Sequence, residues 1–357
     1  MKKKIAVGLS GGVDSSFAAY RLKKEGWDVI GFTLKFYPQD NRCCDLDGLY
    51  RAQRLCSALG IPHYTLDATE AFSASVVSDF LSSYLSGSTP NPCARCNKHI
   101  KFGFLFEKLI SLGIEYLATG HYTRLLRYRG DLYLAQAKDT KKTQEYFLSL
   151  ISPKVLAHLV FPLADYTKEE VKKIVRERKL VCEERKESQD ICFIAGSSYA
   201  KFIETHTSAA GSFQGPIVHV NGTVLGAHKG IYYFTYGQRE GLGISWKEPL
   251  YVVALDEKTR TVFVGERHCL AKSVFTVSGL NWFGRAAEYL SANKSWQEHV
   301  EVKIRYNAPR YPCILDIGKD RVKVTLKEAT NAVTPGQVAA FYYKNMLVGA
   351  GLIQKKP

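Results

Sequence analysis

The sequence predicts an α/β chain in which an N-terminal doubly wound parallel sheet is followed by a small, mainly β central domain and a C-terminal β-barrel-like domain. Three observations carry this. The first 120 residues alternate strand-like and helix-like segments, the pattern of a parallel sheet wrapped by helices on both faces. From Gly211 onward Gly, Val, Ile, Tyr and Phe alternate with turns, so the remainder reads as mainly β. The length of 357 residues exceeds one core at roughly 100 to 200 residues per domain, and the changes of pattern place domains at 1–205, 206–275 and 276–357.

Lys4 to Leu9 reads as a buried strand and Val13 to Lys24 as an amphipathic helix. Trp27 to Leu34 is a second strand, Leu46 to Leu59 a helix ended by Gly60, and His63 to Leu66 a third strand after Pro62. Phe72 to Leu85 and Lys98 to Leu112 are further helices, and Ile114 to Thr119 is a strand. Arg124 to Leu134 reads as a hairpin turning at Gly130-Asp131, with a basic helical stretch after it. In Thr167-Lys168-Glu169-Glu170 a hydroxyl and a carboxylate are spaced to form a capping box, so a helix opens there and runs to about Lys179. Its interleaved Lys, Glu and Arg residues read as a solvated face. Asn221-Gly222 marks a tight hairpin in the β-rich part.

Hydrophobic residues at 46% and charged residues at 23% describe a globular chain and argue against disorder. The N-terminus has no signal-peptide pattern, and no run approaches the roughly 18 to 20 apolar residues of a membrane span, so a cytoplasmic location is expected. The balance of 49 Lys and Arg against 34 Asp and Glu gives +15, which suits a polyanionic partner such as nucleic acid and equally a chain that is basic for solubility. Nine cysteines without a signal peptide read as catalytic, metal-binding or core thiols rather than a disulfide framework. Cys56 lies in an apolar helical stretch and reads as a small core residue, as do Cys182, Cys269 and Cys313. His63 and His99 read as structural or surface groups.

Ser10-Gly11-Gly12-Val13-Asp14-Ser15 follows the first strand directly and opens the first helix, where backbone N–H groups and the helix dipole can hold a phosphate. Ser10 and Ser15 add hydroxyl donors, and Asp14 is suited to holding Mg²⁺ against phosphates. The Gly-Lys-Ser or Gly-Lys-Thr ending of a Walker loop is absent. The hexapeptide resembles the nucleotide loop of the ATP pyrophosphatases, which cleave ATP between its α and β phosphates and adenylate a substrate oxygen. That resemblance implies ATP contacts from Gly8, Leu9, Ser10, Gly11, Gly12, Val13, Asp14 and Ser15, from Leu34 at the end of the second strand, and from Gly120 after the fourth.

A second constellation is Thr89-Pro90-Asn91-Pro92-Cys93-Ala94-Arg95-Cys96-Asn97-Lys98, a Pro-rich loop before a helix. Cys96 is expected at or near the N-terminus of a helix starting around Asn97, a position that favours the thiolate. Glu187-Ser188-Gln189-Asp190-Ile191-Cys192-Phe193-Ile194 places Cys192 in a short strand-like run. Cys-x-x-Cys also reads as a zinc half-site or a redox dithiol, although no second pair follows to complete four ligands. Together the two segments resemble the tRNA-specific 2-thiouridylases. The likeness covers nearly the whole chain, through Gly120-His121-Tyr122, Thr143 to Leu148, His228-Lys229-Gly230, Thr235 to Arg239, Arg305-Tyr306 and Thr334 to Gln337.

The resemblance implies a first domain of the ATP pyrophosphatase type and a sulfurtransferase that adenylates the C2 oxygen of the wobble uridine in Lys, Glu and Gln tRNAs. Sulfur then replaces that oxygen to give 2-thiouridine, with release of AMP and pyrophosphate. Cys192 would carry a persulfide and Cys96 would resolve it, leaving a Cys96–Cys192 disulfide for an external reductant. A sulfur-relay protein or cysteine desulfurase is implied as donor. Asn91, Pro92, Cys93, His121, Lys142, Thr143, Gln144, Arg305, Tyr306 and Gln337 match tRNA-touching positions, in keeping with Arg and Lys pairing with phosphates and Gln reading base edges. One departure is Cys93, where the family commonly has an aspartate. Cys93, Cys96 and Cys192 could instead hold a 4Fe–4S cluster with one open iron. Oligomeric state stays open, with a monomer as the simpler expectation.

Overall fold

The computed structural model describes residues 3–36, 46–180, 191–194, 198–207 and 213–355. The expected strand context Glu187 to Asp190 and the core thiol Cys182 lie outside the described residues. Among the described residues no helix is long and apolar enough to cross a membrane. The chain forms two compact units, one of Met1–Val76, Cys93–Ala195 and Asn345–Val348, the other of Val77–Pro92, Gly196–Lys344 and Gly349–Pro357.

The first unit is built on β1 (Lys4–Gly8), β2 (Asp28–Lys35), β3 (His63–Asp67) and β4 (Tyr116–Ala118). With β5 (Thr123–Tyr128) and β6 (Asp131–Gln136) forming a separate hairpin, the sheet is completed by β7 (Leu159–Val160) in the order β3-β2-β1-β4-β7. All four pairings are parallel. Ile5, Ala6 and Val7 are fully buried, as a strand covered on both faces requires. Helix α1 (Val13–Lys24) lays Phe17, Ala18, Ala19 and Leu22 on this core beside α2 (Leu46–Leu59). Helices α3 (Thr69–Phe72), α5 (Pro92–Cys96), α6 (Leu105–Ser111) and α7 (Lys168–Glu177) follow, with α4 (Ser78–Leu85), between α3 and α5 in sequence, belonging to the second unit, and Val171 and Val175 of α7 close the same core. The strand order reverses between β1 and β4, and ligands of such sheets bind at that switch point, beyond the carboxyl ends of the strands.

Two expectations shift here. The hairpin turns at Arg129-Gly130, one residue earlier than expected, because those two residues take the positive φ values (50° and 88°) that a two-residue turn needs, and Asp131 pairs with Tyr128. Cys96 does not open a helix. It ends α5 in helical geometry and runs straight into a π-helical stretch, Asn97–Phe104, so the free amino end of this helical run lies at Pro92 and Cys93. Proline at the first helical position moved the start forward.

In the second unit, α8 (Tyr199–His206) precedes a four-stranded sheet of β8 (Gly215–His219), β9 (Val224–His228), β10 (Tyr251–Asp256) and β11 (Thr261–Gly265), ordered β10-β11-β8-β9 over a core that includes Ile217, Phe234, Val252 and Val264. The expected hairpin at Asn221-Gly222 joins β8 to β9, with Gly222 at φ 93°. Six further strands are β12 (Lys272–Trp282), β13 (Val300–Lys303), β14 (Tyr311–Ile317), β15 (Arg321–Thr330), β16 (Val338–Tyr343) and β17 (Met346–Ile353). They run in the order β12-β15-β14-β13-β16-β17, and pairing of β12 with β17 closes a barrel. Closure leaves these strands no free edge. Two short helices between β12 and β13, α9 (Ala286–Ala292) and α10 (Lys294–Glu298), were not anticipated; Trp296 of α10 is buried and stacks on Tyr343 at 4.2 Å. Met346 and Leu347 pair with Ala135 and Leu134 of β6 within the first unit.

Candidate active site

A cavity of about 240 Å³ opens at the β1/β4 switch point. Gly8, Leu9, Ser10, Asp14 and Ser15 form one side, and Thr119, Gly120, His121 and Gln144 the other. Phe32, Leu34, Phe36 and Leu105 give it an apolar wall, joined by Lys101. Seven of the ten expected nucleotide contacts, Gly8, Leu9, Ser10, Asp14, Ser15, Leu34 and Gly120, therefore line one cavity; the other three, Gly11, Gly12 and Val13, complete the loop.

The loop is held by its own side chains. Ser15 Oγ accepts from the Ser10 main-chain N–H at 3.3 Å and donates to the Gly12 carbonyl at 3.1 Å. Ser16 Oγ donates to that carbonyl at 2.9 Å. Gly12, the N-cap of α1, supplies no side-chain acceptor for the first-turn N–H groups, which suits them to an anion. Gly120 is required by space, because a Cβ there would lie 2.8 Å from the Asp14 carbonyl carbon and 2.9 Å from the Ser15 nitrogen.

Asp14 is the electrostatic centre. Its Oδ1 accepts from Lys168 Nζ at 2.6 Å and from the buried Tyr122 hydroxyl at 2.9 Å, and Lys142 Nζ lies 3.9 Å from Oδ2. Both ammonium groups lie over the Tyr122 ring, at 5.7 Å for Lys142 and 6.0 Å for Lys168. Lys168, expected on a solvated face, is only 12% exposed. The correction is positional: as the first residue of α7, just after the Thr167 cap, Lys168 sits at the end of the helix that meets the phosphate loop. Composition of the helix face could not reveal it.

Three of the residues expected to touch tRNA, Gln144, Thr143 and His121, make hydrogen bonds within this unit. Gln144 Oε1 accepts from the Tyr122 N–H at 2.9 Å while the Gln144 N–H donates to the Tyr122 carbonyl at 2.8 Å. Thr143 is buried and its hydroxyl donates to Glu145. His121 Nδ1 pairs with Thr119 Oγ1 at 2.8 Å; burial and then the Lys101 ammonium hold its pKa well below the ordinary imidazole range, so the ring is neutral.

Cys93 is exposed, Cys96 buried and Cys192 half-buried. Asn97, next to Cys96, donates its amide to the Phe147 carbonyl at 3.0 Å. Phe193, next to Cys192, meets Phe72 edge-on at 5.6 Å, and Phe72 stacks on the cavity residue Phe36 at 5.0 Å. This aromatic chain links the Cys192 segment to the cavity wall. Cys56 and Cys313 are the expected core thiols, pushed by burial to about 11 and about 12. Cys269 is not: it is half-buried, beside His268. His63 is structural as expected, paired with Thr33 Oγ1 at 2.9 Å.

In the second unit, Arg305 donates to Thr334 Oγ1. Gln337 donates its amide to the Thr89 and Pro90 carbonyls at 2.9 and 3.1 Å, anchoring the chain just before Asn91 and Pro92. Tyr306 lies under Lys303 Nζ at 5.4 Å.

Residues 3–196 match the family model described as the tRNA methyl transferase HUP domain, 200–266 the tRNA methyl transferase PRC-barrel domain, and 272–353 the aminomethyltransferase beta-barrel domain. The class is thus a HUP domain followed by a PRC-barrel and a β-barrel. Curated relatives named tRNA-specific 2-thiouridylase MnmA include one from Clostridium botulinum (strain Eklund 17B / Type B), 38% identical over 99% of this chain and 98% of its own. Another, from Carboxydothermus hydrogenoformans, is 39% identical over the same shares. A relative named tRNA-specific 2-thiouridylase MnmA 2, from Thermoanaerobacter sp. (strain X514), is 40% identical over 100% of this chain and 99% of its own. The chain belongs to the tRNA-specific 2-thiouridylase family.

Proposed function

We propose that this chain thiolates uridine in tRNA, using ATP to activate the C2 oxygen of the wobble base and a cysteine persulfide to replace it. The observation that carries the reading is the switch-point cavity, which joins a phosphate-type loop, a cation pair on Asp14 and an aromatic wall leading to the Cys192 segment.

The loop N–H groups and Ser10 and Ser15 hydroxyls hold phosphates, and Lys168 and Lys142 offset the charge that develops on the departing pyrophosphate. Leu34, Phe32 and Phe36 give the adenine an apolar surface. The Asp14 carboxylate, facing the cavity, fits Mg²⁺, which would supply further charge neutralisation on the phosphates. The terminal sulfur of the Cys192 persulfide attacks C2, and AMP leaves with the former uridine oxygen. The Cys96 thiolate then attacks the inner Cys192 sulfur, the persulfide S–S bond breaks, sulfur stays on the base, and a Cys96–Cys192 disulfide awaits a two-electron reductant. A persulfide donor protein reloads Cys192. Cys93, Cys96 and Cys192 would be the residues to hold an iron–sulfur cluster with one open iron, which would supply a sulfur-binding position.

The test is mass spectrometry of nucleosides from unmodified tRNA incubated anaerobically with ATP, Mg²⁺, a persulfide donor and either wild-type or Cys192→Ala protein. 2-Thiouridine with wild type and none with Cys192→Ala supports the reading. No product from wild type, with or without iron–sulfur reconstitution, overturns it.

A further inference from the structure

Apart from the cavity, a second set of reactive side chains lies at the end of β11 in the central sheet. Glu266, His268 and Cys269 each offer one ligand atom, and the three atoms lie within 4.8 Å of one another. His268 Nε2 and Cys269 Sγ are 3.4 Å apart. Zn–N and Zn–S bonds of about 2.1 and about 2.3 Å set the N–S edge of a tetrahedron at roughly 3.5 Å, so two of the donors already stand at coordinating separation.

The local sequence produces this arrangement. The chain leaves β11 at Gly265 and turns at once into the 3₁₀ turn Arg267–Leu270, which presents residues 266, 268 and 269 from one tight bend. Gly265 makes room for the thiol: a Cβ there would lie 3.1 Å from Cys269 Sγ. The carboxylate is supported from behind. Its Oε2 is 3.3 Å from Nε2 of the buried His219, at the end of the parallel neighbour β8, and its Oε1 accepts from Trp246 Nε1 at 3.4 Å. Metal-bound carboxylates are oriented by such outer hydrogen bonds, and each oxygen keeps a further lone pair for a cation. His268 is exposed, and Glu266 and Cys269 are half-buried, so an ion can enter from solvent.

We propose that Glu266, His268 and Cys269 form a site for a zinc-type divalent cation, three protein donors leaving the fourth position to water. A mixed thiolate, imidazole and carboxylate set selects such an ion over Mg²⁺ or Ca²⁺, which take oxygen ligands. The ion would also tie the 266–269 turn, through Glu266, to the loop that carries Trp246.

Titration of the metal-stripped full chain with Co²⁺ tests this, because a thiolate bound to cobalt gives a charge-transfer absorption. To remove competing thiols, the titration is run in a background in which Cys43, Cys44, Cys93, Cys96, Cys182 and Cys192 are each changed to Ser, leaving the core thiols Cys56 and Cys313. One equivalent should produce the band, Cys269→Ser should abolish it, and His268→Ala, at an exposed position with no packing role, should weaken Co²⁺ binding at least about 10-fold. His219→Gln should keep the band and weaken binding about 10-fold to 100-fold, the usual effect of removing an outer-shell partner. Absence of the band in the background protein, its survival in Cys269→Ser, or unchanged affinity in His268→Ala overturns the proposal.

Discussion

Lys168 and Asp14 stand 154 positions apart in sequence and 2.6 Å apart in space. Lys168 is 12% exposed, and beside Lys142 it concentrates positive charge where the proposed phosphates lie. Lys168→Met should therefore lower kcat for tRNA-dependent pyrophosphate release by about 100-fold, the order expected for losing one positioned charge donor, while the KM for tRNA stays near wild type. A loss confined to KM would remove Lys168 from the chemistry. His121 yields a different kind of expectation. Burial and the Lys101 ammonium hold its folded pKa well below the ordinary value of about 6.5. Below that value the unfolded chain takes up a proton at this position that the folded chain refuses, so the contribution to stability is present above about pH 6.5 and is lost as pH falls toward the folded pKa. Thermal unfolding of His121→Gln should lose less between about pH 7 and about pH 5 than wild type does. The phosphate loop could be read from adjacent residues, because its six positions act as one turn. The Lys168–Asp14 pair could not, since it exists only once the sheet order brings α7 to α1.

Helix α7 shows what local spacing can and cannot reveal. The capping box forms as its spacing predicts: Thr167 Oγ1 accepts from the Glu170 N–H at 3.2 Å, and Glu170 Oε2 accepts from the Thr167 N–H at 2.7 Å. Lys138 also reaches Glu170 at 2.7 Å, and this bond, with that from Thr167, lowers the Glu170 pKa to about 2. A carboxyl with a depressed folded pKa stabilises above its unfolded value of 4.5, and that contribution disappears as pH falls from there toward about 2. Thr167→Ala should cost about 1 kcal/mol in thermal or denaturant unfolding and, because the cap precedes Lys168, should also slow pyrophosphate release. Glu170→Gln should flatten the acid side of the stability profile in that window. The helix that carries Cys96 is less legible from its residues. Lys98 to Ser111 is helical as its pattern predicts, but Pro92 starts the helical run six residues before Lys98, placing Cys93 rather than Cys96 in the first turn. Helices α9 and α10 escaped because their short apolar content, Leu290 and Trp296, resembles the surrounding strands until tertiary contacts choose between them.

At the scale of the whole molecule, strand order places the cavity and charge points to the partner. Alternating strand and helix signals were enough to predict a parallel sheet; the position of its switch point between β1 and β4, and hence the meeting of the phosphate loop with Gly120, required the pairing itself. The net charge of +15 offers many cations to a tRNA backbone, and each phosphate contact releases counterions, so affinity should fall linearly with the logarithm of salt concentration. Arg305 decides how specific that statement is. Its guanidinium donates to Thr334 Oγ1, in the same loop where Gln337 holds the Thr89 and Pro90 carbonyls. If Arg305 also contacts a phosphate, Arg305→Ala should weaken tRNA binding and reduce the slope of log affinity against log salt by about 1. If it serves only to hold the loop, Arg305→Ala lowers affinity by the same factor at every salt concentration and leaves the slope unchanged. Filter-binding or fluorescence titrations of tRNA across a salt series separate the two, and a slope change of about 1 is the expected result.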